Sequence, residues 1–192
     1  MNKRLFIAVP LPDYARFELE SATRTLEEPL RGSAKIVAPE NWHFTLVFLD
    51  DTGERDVPKV EEALCATVAA PFHNSMELWN GADLEIVQIA CVPSERNPRM
   101  IWFLGSAETS RILGAIADDL KRELKSRGIR FADDHAQFTA HITYARLREG
   151  VCPGVRLPKL KPVSFPLEEL VLMESHLEAH GSRYEEIFSM EL

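Results

Sequence analysis

Two short segments of the sequence each carry a histidine followed two residues later by a threonine. The first reads Trp42-His43-Phe44-Thr45-Leu46, and the second reads Ala140-His141-Ile142-Thr143-Tyr144. The two histidines are 98 residues apart, about half of the 192-residue chain. One such motif in each half is the pattern that an ancestral duplication produces.

The residues around each motif predict a β-strand. Apolar or aromatic residues alternate with the histidine and the threonine, and residues two apart on a strand share a face at roughly 7 Å. His43 and Thr45 are therefore expected on one face of their strand, and His141 and Thr143 on one face of theirs. A single motif of this kind is common on protein surfaces, whereas its duplication favours a cleft that both strands line.

The four side chains offer a defined chemistry if they meet. Histidine titrates near neutral pH, so one ring can be a neutral base while the other is a protonated acid. Threonine hydroxyls can donate hydrogen bonds to a developing oxyanion. A base, an acid and neutral donors around one small volume are suited to attack at phosphorus with a ribose oxygen leaving.

Hydrophobic patterns predict the elements that position these strands. The expected strands are 5–9, 42–49, 84–92, 100–104, 138–144, 167–176 and 184–192, with 76–79 pairing to 84–92 across a turn at Asn80 and Gly81. The expected helices are 14–26, ended by Pro29, then 57–70, and 106–127, which Ser106 caps and Gly128 ends. The long helix has an apolar stripe of Leu113, Ile116, Ala117, Leu120 and Leu124. Because some strands form hairpins, these elements predict an α+β fold rather than a purely parallel sheet.

Composition excludes several classes of protein. With 22 basic and 30 acidic residues the formal net charge is −8, which argues against coating of long nucleic acid. Three cysteines outside any C-x-x-C pattern fit a reducing cytoplasm and exclude a disulfide framework or a cysteine-rich zinc site. No apolar stretch approaches 18 residues, so neither a membrane span nor a membrane partner is expected.

Positive charge is concentrated in one part of the chain. Residues 121–161 contain ten lysines and arginines against four acidic residues, and they include the second motif. We therefore expect a local anion site there, with Arg146 and Arg148 as the phosphate contacts. The adjacent residues of 133–135 (Asp-Asp-His) have no further ligand spaced nearby, which favours a solvated loop over a metal site.

Aromatic residues have two predicted roles. Trp42, Trp79 and Trp102 lie within apolar patterns and are expected in the core. Phe6 lies on the opposite strand face from its apolar neighbours and is the candidate for stacking on a nucleobase. Glycine-rich phosphate loops, dinucleotide-binding fingerprints and nucleophile-elbow motifs are absent from the sequence.

With these motifs, the sequence resembles the 2H phosphoesterase superfamily and, within it, the RNA 2′,3′-cyclic phosphodiesterases, also called 2′-5′ RNA ligase-like proteins. The resemblance extends over residues 4–12, 39–49, 98–102, 140–146 and 172–184. It implies a single bilobal domain over residues 1–192, with two pseudosymmetric lobes, each an antiparallel sheet with outer helices, around a central cleft. It also implies hydrolysis of terminal 2′,3′-cyclic phosphates to 2′-phosphates without a metal or another cofactor.

The resemblance assigns roles to the motif residues. It makes His141 the base that activates water and His43 the acid that protonates the departing O3′, although the near symmetry of the motifs leaves this assignment open. Thr45, Thr143 and Arg146 are implied to bind the phosphate oxygens.

Two details of the second motif are irregular: one concerns strand alternation, and the other departs from the usual sequence of the family. Strict alternation puts Arg146 on the opposite face from His141, so we expect the strand to end or bulge near Ala145. Ala140 stands where the family usually has proline, a change that leaves the acid–base groups intact.

The sequence leaves three alternatives to this reaction open. The substrate could be another small cyclic phosphate, such as ADP-ribose cyclic phosphate, or 2′-5′ oligoadenylate. The reaction could be 2′-5′ ligation of tRNA halves, or the chain could be a non-catalytic module that binds RNA ends. The expected partners are RNA 3′ ends or nucleotides that bear a 2′,3′-cyclic phosphate, and the protein is expected to be a cytoplasmic monomer.

Overall fold

The two motif strands belong to different antiparallel sheets. The computed structural model describes residues 2–49, 51–69, 78–79, 81–132, 137–148, 154–178 and 181–192. Its strands are β1 (Asn2–Lys3), β2 (Leu5–Pro10), β3 (Ala34–Ile36), β4 (His43–Phe48), β5 (Thr52–Gly53), β6 (Asp83–Val92), β7 (Met100–Gly105), β8 (His141–Leu147), β9 (Val163–Pro166), β10 (Glu169–Glu178) and β11 (Gly181–Glu191). Its helices are α1 (Asp13–Thr23), α2 (Glu27–Leu30), α3 (Val57–Ala69) and α4 (Ala107–Ser126), with 3₁₀ turns at Arg24–Leu26, Pro39–Asn41 and Glu54–Asp56.

Sheet 1 has the strand order β11-β10-β2-β4, and sheet 2 has the order β3-β8-β7-β6-β9. All neighbouring strands in both sheets are antiparallel. The first motif lies on β4 at the edge of sheet 1, and the second lies on β8 within sheet 2. The predicted α+β fold of antiparallel sheets is confirmed.

The two halves of the chain are interleaved in these sheets. Strand β3, from the first half, pairs with β8 in sheet 2. Strands β10 and β11, from the end of the chain, extend sheet 1 beside β2. Each motif strand therefore lies in a sheet to which both halves of the chain contribute.

The predicted signals of helix α4 are all present. The Ser106 hydroxyl accepts a hydrogen bond from the Thr109 backbone N–H at 3.1 Å, which satisfies a donor of the first turn. Gly128, with φ of +72°, follows the end of the helix. Every residue of the predicted apolar stripe is buried, and the helix packs against α3, β4 and β6.

An aromatic cluster joins the two motif strands beneath the surface. The ring of Trp42, just before β4, packs edge-on against Phe103 of β7 at 5.1 Å. Phe103 in turn contacts Tyr144 of β8 at 5.5 Å, and all three rings are buried. Fully burying one such side chain contributes about 1.5–3 kcal/mol, so this cluster holds β4 and β8 near each other.

The predicted hairpin of strands 76–79 and 84–92 is wrong in the part that the structure describes. Residues 78–79 are helical, and the two neighbours of β6 are β7 and β9. Residues 76, 77 and 80 lie outside the described part of the chain. Strand β9 was not predicted, since its four residues are too few to form a distinct pattern.

Two other predicted boundaries need correction. Helix α1 ends at Thr23, but the chain continues through a 3₁₀ turn into α2, which contains Pro29. A proline in the first turn of a helix removes no intrahelical hydrogen bond, so Pro29 does not stop the helical path. Strand β8 begins at His141, three residues after the predicted start, and continues to Leu147.

Among the described residues, no helix has the length and apolar character needed to cross a bilayer. Residues 154–162 contain neither helix nor strand. The Asp-Asp-His segment at 133–135 lies outside the described residues.

Candidate functional site

A cavity of about 540 Å³ opens between the motif strands of the two sheets. All five predicted site residues line it: His43, Thr45, His141, Thr143 and Arg146. Strands β4 and β8 approach each other although they belong to different sheets. The prediction that both motifs line one cleft is therefore confirmed.

The backbone holds both histidine rings in the same way. His43 Nδ1 lies 2.7 Å from the carbonyl oxygen of Asn41, and His141 Nδ1 lies 2.8 Å from that of Thr139. A carbonyl only accepts, so in both rings Nδ1–H is the donor. When the rings are neutral, Nε2 is therefore the unprotonated nitrogen, and the Nε2 of His43 lies 3.0 Å from the Thr45 hydroxyl.

The two rings differ in their surroundings. His43 stacks on Phe6 at 4.8 Å and meets the ring of Tyr184 edge-on at 5.3 Å. His141 stacks on Trp102 at 3.8 Å, with 22° between the ring planes. His43 thus lies between the rings of Phe6 and Tyr184, and His141 lies over the ring of Trp102.

Enclosure changes the titration of the first histidine. Burial lowers the pKa of His43 from 6.5 to about 4, because the charged imidazolium loses hydration. A positive charge on His141 lowers the pKa of His43 further, and the hydrogen bond to the Asn41 carbonyl opposes both effects. His43 is therefore a neutral ring at pH 7 while the cavity is empty.

A β-bulge places Arg146 on the cavity side of β8. Trp102 pairs with Thr143, but the next pair is Ile101 with Ala145, so Tyr144 is an extra residue on β8. The extra residue reverses the alternation, and Arg146 shares the face of the motif. The expected bulge near Ala145 is confirmed.

Strand β4 has the same irregularity at the equivalent place. Ala8 pairs with Thr45 and Ile7 pairs with Val47, which leaves Leu46 as the extra residue. Phe48 therefore occupies on β4 the position that Arg146 occupies on β8. Both motif strands also have the same burial pattern over their first six residues.

The electrostatics of the cavity favour an anion. Lys35 of β3 pairs in register with Arg146 of β8, and both exposed side chains line the cavity. None of the described lining residues is acidic. Among the described residues, no group of three or more His, Cys, Asp or Glu side chains is arranged as metal ligands.

Two aromatic predictions need correction. Phe6 has 2% of its surface exposed and lies under the ring of His43, so it has no free face for a nucleobase. Trp102, which was predicted to lie in the core, lines the cavity beneath His141. Trp42 and Trp79 are buried as predicted.

Other cavity residues were not found from the sequence. Asn41 orients His43, and Ser182 and Tyr184 of β11 line the cavity from the far end of the chain. Only the proximity of Asn41 to the first motif could have indicated a role. Arg148, which was expected to contact phosphate, does not line this cavity.

Three comparisons with known proteins agree with this geometry. Residues 9–102 match the family model described as LigT like phosphoesterase. An RNA 2′,3′-cyclic phosphodiesterase of Archaeoglobus fulgidus is 31% identical over 145 residues, which cover 76% of this chain and 73% of that protein. An RNA 2′,3′-cyclic phosphodiesterase of Thermus thermophilus is 31% identical over 186 residues, covering 94% and 86% of the two chains. The crystal structure of the protein TT0787 of Thermus thermophilus is similar with a TM-score of 0.72 and 26% identity, and the match covers 98% of this chain and 97% of that one.

Proposed function

Since this chain belongs to the LigT-like phosphoesterase family, we propose that it hydrolyses terminal 2′,3′-cyclic phosphates of RNA or of nucleotides to 2′-phosphates. The observation that carries the proposal is that two histidines, each with Nδ1 held by a backbone carbonyl, line one cavity whose described lining residues include no acidic side chain. The names of the relatives from Archaeoglobus and Thermus support the same substrate class.

Binding of the phosphate is the first step. A 2′,3′-cyclic phosphate carries one negative charge, and the guanidinium of Arg146 can donate hydrogen bonds to its non-bridging oxygens. The hydroxyls of Thr45 and Thr143 supply neutral donors for the charge that develops on these oxygens during attack. Lys35, next to Arg146 across the strands, adds positive charge at the same wall.

The chemical step transfers two protons. His141 takes a proton from a water molecule, whose oxygen forms a bond to phosphorus. The bond from phosphorus to O3′ breaks, and His43 protonates O3′, which leaves the phosphate on O2′. Each of these proton transfers typically contributes ~10²–10⁴ in rate.

Because the pKa of His43 is low, this ring can act as the acid only if bound substrate helps it to hold a proton. The ring is neutral in the empty cavity, because burial lowers its pKa to about 4. A bound phosphate anion raises the pKa of a nearby histidine, so substrate binding supplies the charge that lets His43 hold a proton. The pair then shares one proton during turnover.

Product analysis tests the proposed reaction. We expect the protein to convert 2′,3′-cyclic AMP to 2′-AMP in the presence of EDTA, because protein side chains supply every proton and every phosphate contact. Chromatography against authentic 2′-AMP and 3′-AMP identifies the product. Formation of 3′-AMP, or loss of turnover in EDTA that added metal restores, would contradict the proposal.

A sulfur-substituted substrate tests the assignment of acid and base. A 2′,3′-cyclic analogue with sulfur in place of the bridging O3′ releases a thiolate, which leaves without being protonated. His43→Ala should therefore lose far less activity on this analogue than on 2′,3′-cyclic AMP, whereas His141→Ala should lose as much on both. The opposite pattern would show that His141 is the acid and His43 is the base.

A further inference from the structure

A second groove opens beside the catalytic cavity. Its volume is about 580 Å³, and it shares Phe48, Arg146, Ser182 and Tyr184 with the cavity. The cavity and the groove therefore adjoin at these four residues.

The groove is basic in a protein whose net charge is −8. Its described lining residues include three arginines, Arg4, Arg130 and Arg146, and one acidic residue, Asp51. All three arginine side chains are exposed, and within the described ranges none of them forms an ion pair. The described lining of the groove therefore carries an excess of positive charge, which favours an anionic ligand.

Backbone pairing positions the main chain that carries Arg4 and Arg130. Phe131 forms a bridge with Leu49, and the Ala132 N–H donates to the Phe48 carbonyl at 2.9 Å, which holds Arg130 beside the end of β4. The Arg4 carbonyl accepts a hydrogen bond from the Ser175 N–H at 2.8 Å. The basic wall of the groove is therefore part of the sheet framework.

An exposed aromatic ring stands where the groove meets the cavity. The side chain of Phe48 is 57% exposed and lines both spaces. A lone exposed apolar residue carries little information, but an exposed aromatic ring beside guanidinium groups is the combination that binds single-stranded nucleic acid. In such a combination, the aromatic ring stacks on a base of any identity and the guanidinium groups bind phosphate.

We propose that this groove binds the RNA strand on the 5′ side of the terminal nucleotide, with Arg4 and Arg130 on its phosphodiester and Phe48 against a base. The inference rests on the proposed function, because the cyclic phosphate in the cavity occupies the 3′ end and leaves only the 5′ oxygen for the rest of the chain. It names the substrate class as oligonucleotide ends rather than free cyclic nucleotides.

The test compares 2′,3′-cyclic AMP with an adenosine trinucleotide that ends in a 2′,3′-cyclic phosphate. The wild-type protein should have a kcat/KM at least about tenfold higher for the trinucleotide. The double variant Arg4→Gln, Arg130→Gln should lose about tenfold on the trinucleotide and less than about twofold on 2′,3′-cyclic AMP, since it removes phosphate contacts that only the longer substrate makes.

A matched control changes the same charge elsewhere. Arg148→Gln, Arg156→Gln removes two exposed arginines that line neither space, and it should leave both kcat/KM values unchanged. Asp51→Asn, which removes the acidic residue of the groove, should raise kcat/KM for the trinucleotide alone. The salt dependence of trinucleotide binding should weaken in the double variant by roughly 0.7 in log–log slope for each lost phosphate contact.

Equal effects on both substrates, or no preference for the trinucleotide, would overturn the groove assignment. Failure to hydrolyse either substrate would instead refute the proposed function, and fluorescence anisotropy with the labelled trinucleotide would still test the groove. Arginine-dependent binding of a glutamate-rich peptide, without arginine-dependent binding of the trinucleotide, would identify the groove as a protein-binding site and also overturn the assignment.

Discussion

The two cavity histidines have different aromatic neighbours although they occupy equivalent strand positions. The ring of His43 lies between Phe6 and Tyr184, and the ring of His141 stacks on Trp102. Burial lowers the pKa of His43 to about 4, so this ring stays neutral at pH 7. The pair therefore resists double protonation until the pH is well below neutral.

The lowered pKa of His43 also predicts how stability depends on pH. Its pKa is 6.5 when unperturbed and about 4 in the folded protein, so between these values the unfolded chain binds a proton that the folded protein does not. The contribution to the free energy of unfolding is complete above pH 6.5 and falls as the pH decreases, by up to about 3 kcal/mol near pH 4.

His43→Asn should remove this component, because asparagine does not titrate and its amide can still donate to the Asn41 carbonyl. Urea unfolding at pH 7 and at pH 4.5 measures it. The decrease in the free energy of unfolding should be about 2 kcal/mol larger for the wild-type protein than for the variant. Equal decreases would show that His43 is not held neutral by burial.

At the scale of the elements, the bulges of β4 and β8 determine what faces the cavity. Each strand gains one residue directly after its threonine, so the residue five positions after the histidine joins the motif face. On β8 that residue is Arg146, and on β4 it is Phe48. A β-bulge at the same position thus places a cation at the cavity from one sheet and an aromatic ring from the other.

Alternation in the sequence was sufficient to place each histidine and its threonine on one strand face. It fails beyond the bulge of β4, because strict alternation buries Phe48 with Phe44 and Leu46, whereas Phe48 is exposed and lines the cavity. The mismatch of Arg146 with that alternation even indicated the bulge of β8. The exchange of strands between the sheets could not be predicted, since pairing of β3 with β8 or β10 with β2 leaves no local pattern. The prediction that Trp102 lies in the core was wrong, because an aromatic residue beneath a histidine and one in the core occupy the same kind of position in an alternating strand pattern.

The strand connection before the second motif is tightly packed. The Ala140 N–H donates to the Ser110 hydroxyl at 3.1 Å, a bond that the proline usual in the family could not make. A Cβ on Gly105 would lie 2.8 Å from the Ala140 Cβ and 2.9 Å from a Thr109 methyl carbon. The glycine allows β7 to approach the residue that precedes His141.

Gly105→Ala should therefore decrease the free energy of unfolding by about 1–3 kcal/mol. It should also lower kcat, since the displaced backbone leads directly into His141. Gly53→Ala is the matched control, because its added Cβ meets only an Asp56 oxygen at 3.8 Å. Equal stability of the two variants in urea unfolding would contradict the packing argument.

At the scale of the whole molecule, the fold concentrates positive charge in one connected region. The chain is acidic overall, yet Lys35 and Arg146 line the cavity, and Arg4 and Arg130 line the adjoining groove. These four side chains attract an anion to the cavity and the adjoining groove. This arrangement fits an enzyme that acts on the ends of RNA strands rather than along them.

Because the two halves of the chain are interleaved, strands from different parts of the chain are needed to form the cavity. Strand β4 brings one histidine, β8 brings the other, and β11 brings Tyr184 from the end of the chain. A change in how the two sheets meet would separate the rings without altering either motif. The central claim is accordingly that two imidazoles from different sheets act on one phosphate.

Turnover of 2′,3′-cyclic AMP by His43→Ala and by His141→Ala, in EDTA and with circular dichroism as the check on folding, tests that claim most directly. Each variant should lose ~10²–10⁴ in kcat, because each lacks one proton transfer. His176→Ala, a histidine that does not line the cavity, should retain wild-type turnover. A well-folded His43 or His141 variant with near-normal turnover would contradict the account.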